Sequence, residues 1–465
     1  METAAGFSTD FRIMRIHFIA IGGAAMHNLA LALHDAGHLV TGSDDDIRNP
    51  SQQRLAEAGL LPEALGWHAS RITPDIDVVI LGMHARADNP ELTTALSLGL
   101  NVQSYPEFLF QATADKHRVV VGGSHGKTTI TSMVLHVLHA LRRPTDFMVG
   151  AQLDGFDRMV GLSADNDLVV LEGDEYLSSP LDRRSKFLWY KPQTALLTGI
   201  AWDHINVFPT EKDYTATFDA FVQSLPEAAT LVHCEEDSLL GQTIARAGRP
   251  DLHLIPYATP KDVAATDGIT AIRWPDGGET TTGLKGTHNL QNLSGARALC
   301  GAIGLSPADF DSAISTFSGA ARRLELVVDD PAAAWTVYRD FAHAPSKVRA
   351  TTAGIRDAFA KRRLVAAFEL HTFSSLNPDF LPTYAGALNA ANAAAVYYDP
   401  SVVAAKRLPP LSPDQVREAF QRPDLEVFTV REDLVAFLNA QPREDAVVVL
   451  MSSGWFGGAV WPESS

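Results

Sequence analysis

The sequence predicts an α/β fold in three domains, each built around a sheet of mostly parallel strands. Short apolar runs alternate with helical segments along most of the chain, and this alternation is typical of parallel sheets. Most of the apolar runs end in a glycine-rich or polar tip, at the strand end where open α/β sheets bind ligands. The length of 465 residues also suits about three domains of roughly 150 residues each.

The first domain is expected over residues 1–113. An apolar run over residues 15–23 predicts the first strand, and apolar residues at helical spacing over residues 24–37 predict a helix that ends at a glycine. Residues 38–46 and 77–82 predict two further strands. The order strand, helix, strand predicts a parallel sheet.

The second and third domains are expected over residues 114–318 and 319–465. In the second, apolar runs at 167–175, 194–204 and 229–237 each lead into a polar cluster, and these clusters could converge on one site. The third contains strands within "WTVYRDFAHAPS", "RLVAAFELHTFSS", "AAVYYDP" and "DAVVVLMSSGWFGG". Of its two alanine-rich stretches, residues 329–334 are expected to form a loop and residues 389–395 a helix.

The composition excludes several classes of protein. The net charge of −17 argues against a general nucleic-acid binder, because phosphate backbones favour clustered lysine and arginine. The two cysteines, Cys234 and Cys300, cannot form a disulfide framework. No apolar run approaches the roughly 18 residues of a membrane span, and the N-terminus lacks the basic start of a signal peptide. We therefore expect a reduced, cytoplasmic setting without a membrane partner.

The first glycine turn, "AIGGAAMH", follows a strand and opens a helix. A dinucleotide fingerprint would place glycine at Ala20, Gly22 and Ala25, and only the middle one is present. The helix N-terminus can still offer N–H groups to a diphosphate, and Asp44 could hold a ribose hydroxyl. A plain tight turn is the alternative, and the loss of the first glycine disfavours an NAD site. The expected diphosphate contacts are the backbones of Gly22, Gly23 and Ala24.

The second glycine turn, "GGSHGKTT", resembles a phosphate-binding loop, although Val121 stands where the usual pattern has its first glycine. Its position between an apolar strand and a helix is the required context. Lys127 is expected to meet the β- and γ-phosphates, and the Thr128 hydroxyl to bind Mg²⁺.

Polar residues at other strand ends support a nucleotide site. Glu172, Asp174 and Glu175 follow one strand, and Asp203 and His204 follow the next. Hard divalent cations prefer oxygen ligands, and a histidine can complete a second site. The alternative is that Glu172 caps a helix and His204 lies on the surface.

Three further motifs lie near the junction with the third domain. His288, Asn289 and Asn292 precede a helix, where amide side chains could read an adenine edge or simply cap the helix. The arginine pair 322–323 could reach a γ-phosphate or lie on a solvated face. A third motif places two polar side chains at another strand end: Asp340 and His343.

Taken in order, "HFIAIGGAAM", "GGSHGKTT", "EGDE", "DH", "THNLQN", "GAARRLE" and "DFAHAPS" resemble the Mur ligase family, and the likeness spans about residues 15–460. The family forms amide bonds with ATP in peptidoglycan metabolism. The resemblance implies a Rossmann-like UDP-sugar domain, a central P-loop ATPase-type domain and a C-terminal Rossmann-like domain that brings the incoming amino acid or peptide. It also implies ATP and Mg²⁺ as cofactors, small-molecule substrates, and a monomer or weak homodimer.

The resemblance implies the following site residues. The catalytic set is Lys127, Glu172, His204, His125 and Arg323, and the metal ligands are Thr128, Glu172 and His204. The residues expected to contact the UDP-sugar are Gly22, Gly23, Ala24, Ser43, Asp44 and His84. Those expected to bind ATP are Gly123, Ser124, His125, Gly126, Lys127, Thr128, Thr129, His288, Asn289, Asn292, Arg323, Asp340 and His343.

A histidine inside the phosphate loop, His125 here, resembles the family members that use UDP-N-acetylmuramate. The family has two such activities. One adds L-alanine to this acceptor, and the other adds the recycled tripeptide L-alanyl-γ-D-glutamyl-meso-diaminopimelate. The long segment "EGDEYLSSPLDRRSKFLWYKP", the C-terminal "VLMSSGWFGG" and "HAP" at 343–345 resemble the members that add the tripeptide, so the resemblance favours the tripeptide. The L-alanine activity stays open as the alternative, as does a regulatory protein that binds a UDP-sugar without ligation. A carboxylate of the peptide is expected at Arg183, Arg184 and Lys186.

Overall fold

The computed structural model describes residues 13–83, 85–153, 155–205, 207–266, 269–317, 319, 323–458 and 461–462.

The strands are, in chain order, β1 Arg15–Ile19, β2 Leu39–Ser43, β3 Val78–Leu81, β4 Val102–Ser104, β5 His117–Gly122, β6 Asp146–Met148, β7 Val160–Gly161, β8 Leu168–Glu172, β9 Thr194–Leu197, β10 Thr230–Cys234, β11 His253–Tyr257, β12 Asp262–Thr266, β13 Ile269–Arg273, β14 Glu279–Thr282, β15 Glu325–Asp330, β16 Trp335–Asp340, β17 Arg363–Glu369, β18 Ala393–Tyr397, β19 Glu426–Phe428 and β20 Ala446–Met451.

The α-helices are α1 Ala24–Asp35, α2 Ser51–Glu57, α3 Pro90–Ser97, α4 Tyr105–Ala112, α5 Lys127–Ala140, α6 Phe187–Tyr190, α7 Glu211–Ser224, α8 Ser238–Ala247, α9 Thr287–Ala302, α10 Pro307–Ile314, α11 Pro345–Ala358, α12 Pro400–Ala405, α13 Pro413–Phe420 and α14 Arg431–Asn439. Short 3₁₀ turns occupy Ala69–Arg71, Leu381–Tyr384 and Phe456–Gly458. Over the described ranges, no helix combines the length and apolar character needed to cross a membrane.

The chain divides into two compact units. The first consists of Met1–Arg118, Pro144–Gly150 and Phe156–Lys191, and the second of Val119–Arg143, Ala151–Gly155 and Pro192–Ser465. The domain boundaries expected after residues 113 and 318 remain predictions.

In the first unit, four parallel strands lie in the order β2-β1-β3-β4. Strand β1 is buried from Ile16 onward, because it is central in the sheet and covered on both faces. Helix α1 follows β1 directly and buries eight of its residues. In the same unit β6 pairs with β8 in parallel and with β7 in antiparallel orientation. The predicted strand–helix–strand order at the N-terminus is confirmed.

In the second unit, β11, β10, β9 and β5 are consecutive parallel strands. Helices α5 and α9 pack against each other beside these strands. Strands β12, β13 and β14 form a small antiparallel sheet. The phosphate loop joins β5 to α5, so it opens at the carboxyl end of this parallel set.

The remaining sheet of the second unit has the order β15-β16-β20-β17-β18-β19, with only β15 antiparallel. One face carries an apolar core that includes Val348 and Ile355 of α11 and Phe420 of α13. The opposite face carries a second core with Leu434 and Leu438 of α14. Helices thus cover both faces, as the predicted α/β fold class requires, and the prediction is confirmed.

The helix predicted over residues 389–395 is wrong. The chain turns over residues 385–390 and then forms β18, which pairs with β17 and β19. Ala394, Ala395 and Val396 of β18 are buried within the sheet. Alanine favours a helix, but pairing with a strand on each side outweighs that weak intrinsic preference.

Candidate active site

The second glycine turn has a backbone that only glycine adopts easily. Gly123 and Gly126 have φ angles of 122° and 77°, and Gly126 immediately precedes α5. A Cβ atom at Gly123 would lie 2.0 Å from Thr198 Oγ1, and one at Gly126 would lie 2.3 Å from Asn292 Oδ1. Asn292, predicted from a separate motif, therefore lies directly against the phosphate loop.

The loop is fastened to the tip of β9. The Ser124 N–H donates to the Gly199 carbonyl over 3.0 Å, and the Ala201 N–H donates to Ser124 Oγ over 2.8 Å. Ser124 Oγ also lies 2.7 Å from the hydroxyl of Tyr214, and the Thr198 hydroxyl donates to the His125 carbonyl. These bonds hold the loop in one shape, with the N-terminus of α5 at its end, where a phosphate could bind.

Two cationic side chains lie at this helix start. Lys127 Nζ donates to the carbonyl of Gly123 within its own loop. Arg323 donates to Thr128 Oγ1 over 3.2 Å, and its guanidinium lies over the Phe341 ring at 4.8 Å from the centroid. Thr129 is half-buried in the first turn of α5. The predicted Lys127, Thr128 and Arg323 are therefore brought together, and the two cationic side chains can offset the charge of a triphosphate.

A second cluster joins the loop to the start of α11. Ser346 Oγ lies 2.7 Å from His125 Nε2. His343 Nε2 lies 3.9 Å from Asp203 Oδ2, and the Tyr384 hydroxyl donates to the His343 carbonyl. His125 Nδ1 and Asp203 Oδ2 are both buried without a hydrogen-bond partner among the described residues. Such unpaired buried atoms are rare in folded proteins and are found where a ligand or strain is expected.

The protonation states in this cluster follow from burial and charge. Burial, followed by the charge of Lys347, lowers the pKa of His125 and of His343 to about 3 each. Burial raises the pKa of Asp203, but nearby positive charge, chiefly from His204 and Lys347, outweighs burial and holds it at about 2. At neutral pH both imidazoles are therefore neutral and the Asp203 carboxylate is charged.

The remaining predicted nucleotide residues belong to α9, which holds His288 and Asn289, and to the end of β16, which holds Asp340. The Asn289 amide donates to the Lys285 carbonyl over 2.9 Å. Burial lowers the pKa of His288, whose ring lies against Gly286 and Gly354. Asp340 accepts bonds from the N–H groups of Leu324 and Ala342 and from the Thr351 hydroxyl. These contacts show Asp340 ordering the chain on both sides of β16.

The first glycine turn lies in the first unit and is anchored by β2. The Gly22 N–H donates to Asp44 Oδ2 over 2.7 Å, and the Ala20 N–H donates to the Ser43 carbonyl over 2.9 Å. Ser43 Oγ accepts a bond from Arg71 over 2.7 Å. Burial raises the pKa of Asp44. Ala20 has a φ of 71°, so it holds the left-handed conformation that glycine has in the fingerprint.

Gly23 is the N-cap of α1, and Ala24 is its first residue. The predicted backbone contacts Gly22, Gly23 and Ala24 therefore lie at a helix N-terminus, next to Ser43 and Asp44. His84, the remaining predicted UDP-sugar residue, lies outside the described residues.

Glu172 ends β8 in the first unit and accepts a 2.7 Å bond from the Gly150 N–H. Thr128 and His204, the other predicted metal ligands, belong to the second unit. Within the described residues, no three histidine, cysteine or carboxylate side chains form a metal cage. Mg²⁺ on a nucleotide uses few protein ligands, because phosphates and waters complete its shell. A threonine hydroxyl and a carboxylate suit it by chemistry.

Basic residues expected to bind a peptide carboxylate have partners of their own. Arg184 bonds Asp182 over 2.9 Å and lies over the Trp189 ring, and Lys186 bonds Asp174 over 2.6 Å. These contacts order the segment between β8 and α6.

Family models match residues 15–117 as the Mur ligase catalytic domain, 121–300 as the Mur ligase middle domain, and 322–454 as the Mur ligase glutamate ligase domain. The chain belongs to the Mur ligase family. Members of this family are ATP-dependent ligases that form amide bonds in peptidoglycan synthesis, and this protein is such an enzyme.

Three relatives illustrate the likeness. The UDP-N-acetylmuramate–L-alanyl-γ-D-glutamyl-meso-2,6-diaminoheptandioate ligase of Escherichia coli K12 is 32% identical over 77% of this chain and 79% of its own length. The UDP-N-acetylmuramate–L-alanine ligase of Arthrobacter sp. FB24 is 33% identical over 82% of this chain and 80% of its own. The crystal structure of murein peptide ligase from Psychrobacter arcticus 273-4 has a TM-score of 0.68 and 25% identity, covering 96% of this chain and 97% of that chain.

Several residues that contact the candidate active site of this Mur ligase were not predicted from the sequence. Ser346 and Lys347 follow "DFAHAP" at the first turn of α11, where a proline at the helix start was a usable signal. The Thr198 and Tyr384 hydroxyls donate to the backbone carbonyls of His125 and His343, respectively, and nothing in their sequence surroundings indicates these contacts. The roles assigned to the individual site residues remain predictions.

Proposed function

We propose that this Mur ligase joins UDP-N-acetylmuramate to the tripeptide L-alanyl-γ-D-glutamyl-meso-diaminopimelate. The names of the E. coli and Arthrobacter relatives both begin with the same acceptor, UDP-N-acetylmuramate. That agreement, together with the presence of His125 inside the phosphate loop, is the observation that carries the choice of acceptor. The tripeptide is supported by the E. coli relative and by the murein peptide ligase structure.

The proposed chemistry has two balanced steps. A carboxylate oxygen of the muramoyl lactyl group attacks the γ-phosphorus of ATP, and ADP leaves. The amine of the peptide then attacks the carbonyl carbon of the acyl phosphate, loses a proton, and expels inorganic phosphate. The protein mainly supplies positioning and charge neutralisation.

The chain's own groups suit this task. Two anions, a carboxylate and a triphosphate, must approach each other, and Lys127 and Arg323 at the start of α5 reduce their repulsion. His125 would contact the muramoyl portion, with its ring position set by Ser346. Asn292 would contact the nucleotide at the loop edge, and Asp340 and His343 would order this side of the site.

Mg²⁺ is part of the proposal. When bound, it would supply charge neutralisation between the phosphates and the acceptor carboxylate. Thr128 and Glu172 would hold it through oxygen, and His204 would complete a second position. The UDP-sugar would lie at Gly22, Gly23 and Ala24, with Ser43, Asp44 and His84. Cytoplasmic location is also proposed, and the two buried free cysteines are what a reducing compartment maintains.

L-alanine ligation is the second candidate, because the Arthrobacter relative is as similar as the E. coli one. Purified protein with ATP, Mg²⁺ and UDP-N-acetylmuramate should release phosphate with the tripeptide and form the corresponding amide. Release with L-alanine and none with the tripeptide would overturn the choice. Nucleotide binding without either product would instead favour a regulatory role.

A further inference from the structure

Arg323 lies two residues before β15 and contacts the start of α5. Its guanidinium donates to Thr128 Oγ1 over 3.2 Å and lies over the Phe341 ring, 4.8 Å from the ring centroid. An arginine has a long, flexible stem, so its charge is placed accurately only where the backbone beside it and the surface under it are both fixed. Both are fixed through one carboxylate, that of Asp340.

The backbone beside Arg323 is held in a conformation that it would seldom adopt alone. Leu324 has a φ of 53°, in the left-handed region that residues with a Cβ atom disfavour, and such residues persist where their surroundings determine them. Because Glu325 pairs with Arg339, Leu324 lies opposite Asp340 at the next position along the two strands. The Leu324 N–H donates to Asp340 Oδ2 over 2.8 Å. This bond holds the turn from which Arg323 leaves the chain.

The surface under the guanidinium is fixed by the other oxygen of the same carboxylate. Asp340 Oδ1 accepts a bond from the Ala342 N–H over 2.8 Å, and this bond closes a tight turn around Phe341. The same oxygen accepts a 3.1 Å bond from the hydroxyl of Thr351, which is only 4% exposed. The turn and the buried threonine of α11 therefore hold the ring on which Arg323 lies.

Resting on the proposed function, in which Arg323 offsets charge beside the triphosphate, we propose that Asp340 is a positioning residue that acts through Arg323. Thr351 in turn holds Asp340. Both oxygens of Asp340 already accept bonds from the chain, which favours ordering of Arg323 over contact with the nucleotide. A cation that is oriented in advance stabilises the charge of the transferring phosphoryl group without reorganising during the step. The contribution of Asp340 therefore belongs to kcat.

A double-mutant cycle tests this dependence, with phosphate release measured at saturating ATP, UDP-N-acetylmuramate and tripeptide. Asp340→Asn replaces one accepting oxygen by an amide N–H₂ group, and we expect kcat to fall about 10- to 100-fold, because a misplaced cation stabilises the transition state poorly. Arg323→Met should lower kcat by about 10²- to 10³-fold. The double variant should be no more than about threefold slower than Arg323→Met alone. Effects that multiply would overturn the inference.

Asp330→Asn is the matched control. Asp330 ends β15 in the same sheet and also accepts bonds from two backbone N–H groups, those of Ala332 and Ala333. Its substitution should leave kcat and the KM for ATP within about twofold of wild type. Asp340→Asn should likewise keep the KM for ATP within about threefold. A rise of about tenfold or more in that KM, with kcat retained, would mean that Asp340 binds the nucleotide directly and would overturn the inference.

Thr351→Val keeps the inference falsifiable if Asp340→Asn disturbs folding. Valine has nearly the shape of threonine but cannot donate, so one of the three bonds is lost and kcat should fall about 3- to 10-fold. Thr351→Ser keeps the hydroxyl and should retain kcat within about twofold of wild type. A Thr351→Val rate equal to wild type would overturn the inference. Failure of the proposed function looks different, because wild-type protein would then turn over L-alanine and not the tripeptide, and the cycle would be run with L-alanine.

Discussion

The two glycine turns have the same local plan, a buried strand followed by a helix N-terminus, but they are held in different ways. The first is anchored by its neighbouring strand, through Asp44 to the Gly22 N–H and through the Ser43 carbonyl. The second is enclosed by side chains distant in sequence, with Asn292, Arg323 and Ser346 against it. The first turn thus offers backbone groups, whereas the second collects charged and titratable side chains from several elements.

The difference predicts where chemistry depends on a single side chain. Lys127→Ala should lower kcat by about 10³-fold, because it removes a cation that offsets charge in the transition state. Phosphate release measured with both substrates present checks this. The exposed Lys212→Ala is the control and should leave the rate unchanged. A Lys127→Ala rate within tenfold of wild type would contradict the role.

The second turn should also tolerate an added methyl group poorly. Gly126→Ala is expected to lower the free energy of unfolding by about 2–4 kcal/mol, from a left-handed backbone and overlap with Asn292. Adding Asn292→Ala should recover the part due to overlap but not the part due to the backbone. Thermal unfolding of Gly126→Ala, of Asn292→Ala alone and of the double variant separates the two contributions. Full recovery would mean that backbone conformation contributes nothing.

Acid should act on the two turns in opposite directions, weakening the second through His125 and stabilising the first through Asp44. The folded-state pKa of His125 is lowered to about 3, so the unfolded chain takes up a proton below about 6.5 while the folded chain does not. Stability is therefore lost as pH falls from about 6.5. Asp44 has the opposite sign, because its folded-state pKa is raised and its contribution falls as pH rises.

His125→Asn removes the titrating group from a site that also holds Lys127, Lys347 and Asp203. Between pH 7 and pH 5.5 the variant should lose about 1–2 kcal/mol less stability than wild type. Unfolding midpoints at the two pH values measure this. An identical pH dependence would show that His125 is protonated in the folded state as readily as in the unfolded chain.

The smallest effect is expected in the first turn. Ala20 holds a φ of 71°, so Ala20→Gly relieves left-handed strain but frees the unfolded chain. The net gain in unfolding free energy should be about 0.5 kcal/mol. The matching change in the second turn, Gly126→Ala, goes the other way. A clear loss of stability in Ala20→Gly would mean that packing of the Ala20 methyl outweighs its strain.

Much of the molecule follows from local patterns. The strands β1, β5, β8 and β20 are continuous apolar runs that need burial on both faces, so their existence and their polar ends are predictable from the local sequence alone. The stretch over residues 389–395 shows the limit, since pairing on both sides made β18 from an alanine-rich segment. The left-handed Ala20 was equally hidden, because alanine does not indicate that conformation.

The sequence by itself determined the α/β class, the two glycine turns and the chemical types around the phosphate loop, because these depend on neighbours within a few residues. The tertiary structure alone decided that Ser346 reaches His125, that Arg323 reaches Thr128, and that the Tyr384 hydroxyl reaches the His343 carbonyl. The physical reason is that these contacts depend on strand order and on which face each connection takes. Both are properties of the packed sheet and not of any segment of the chain.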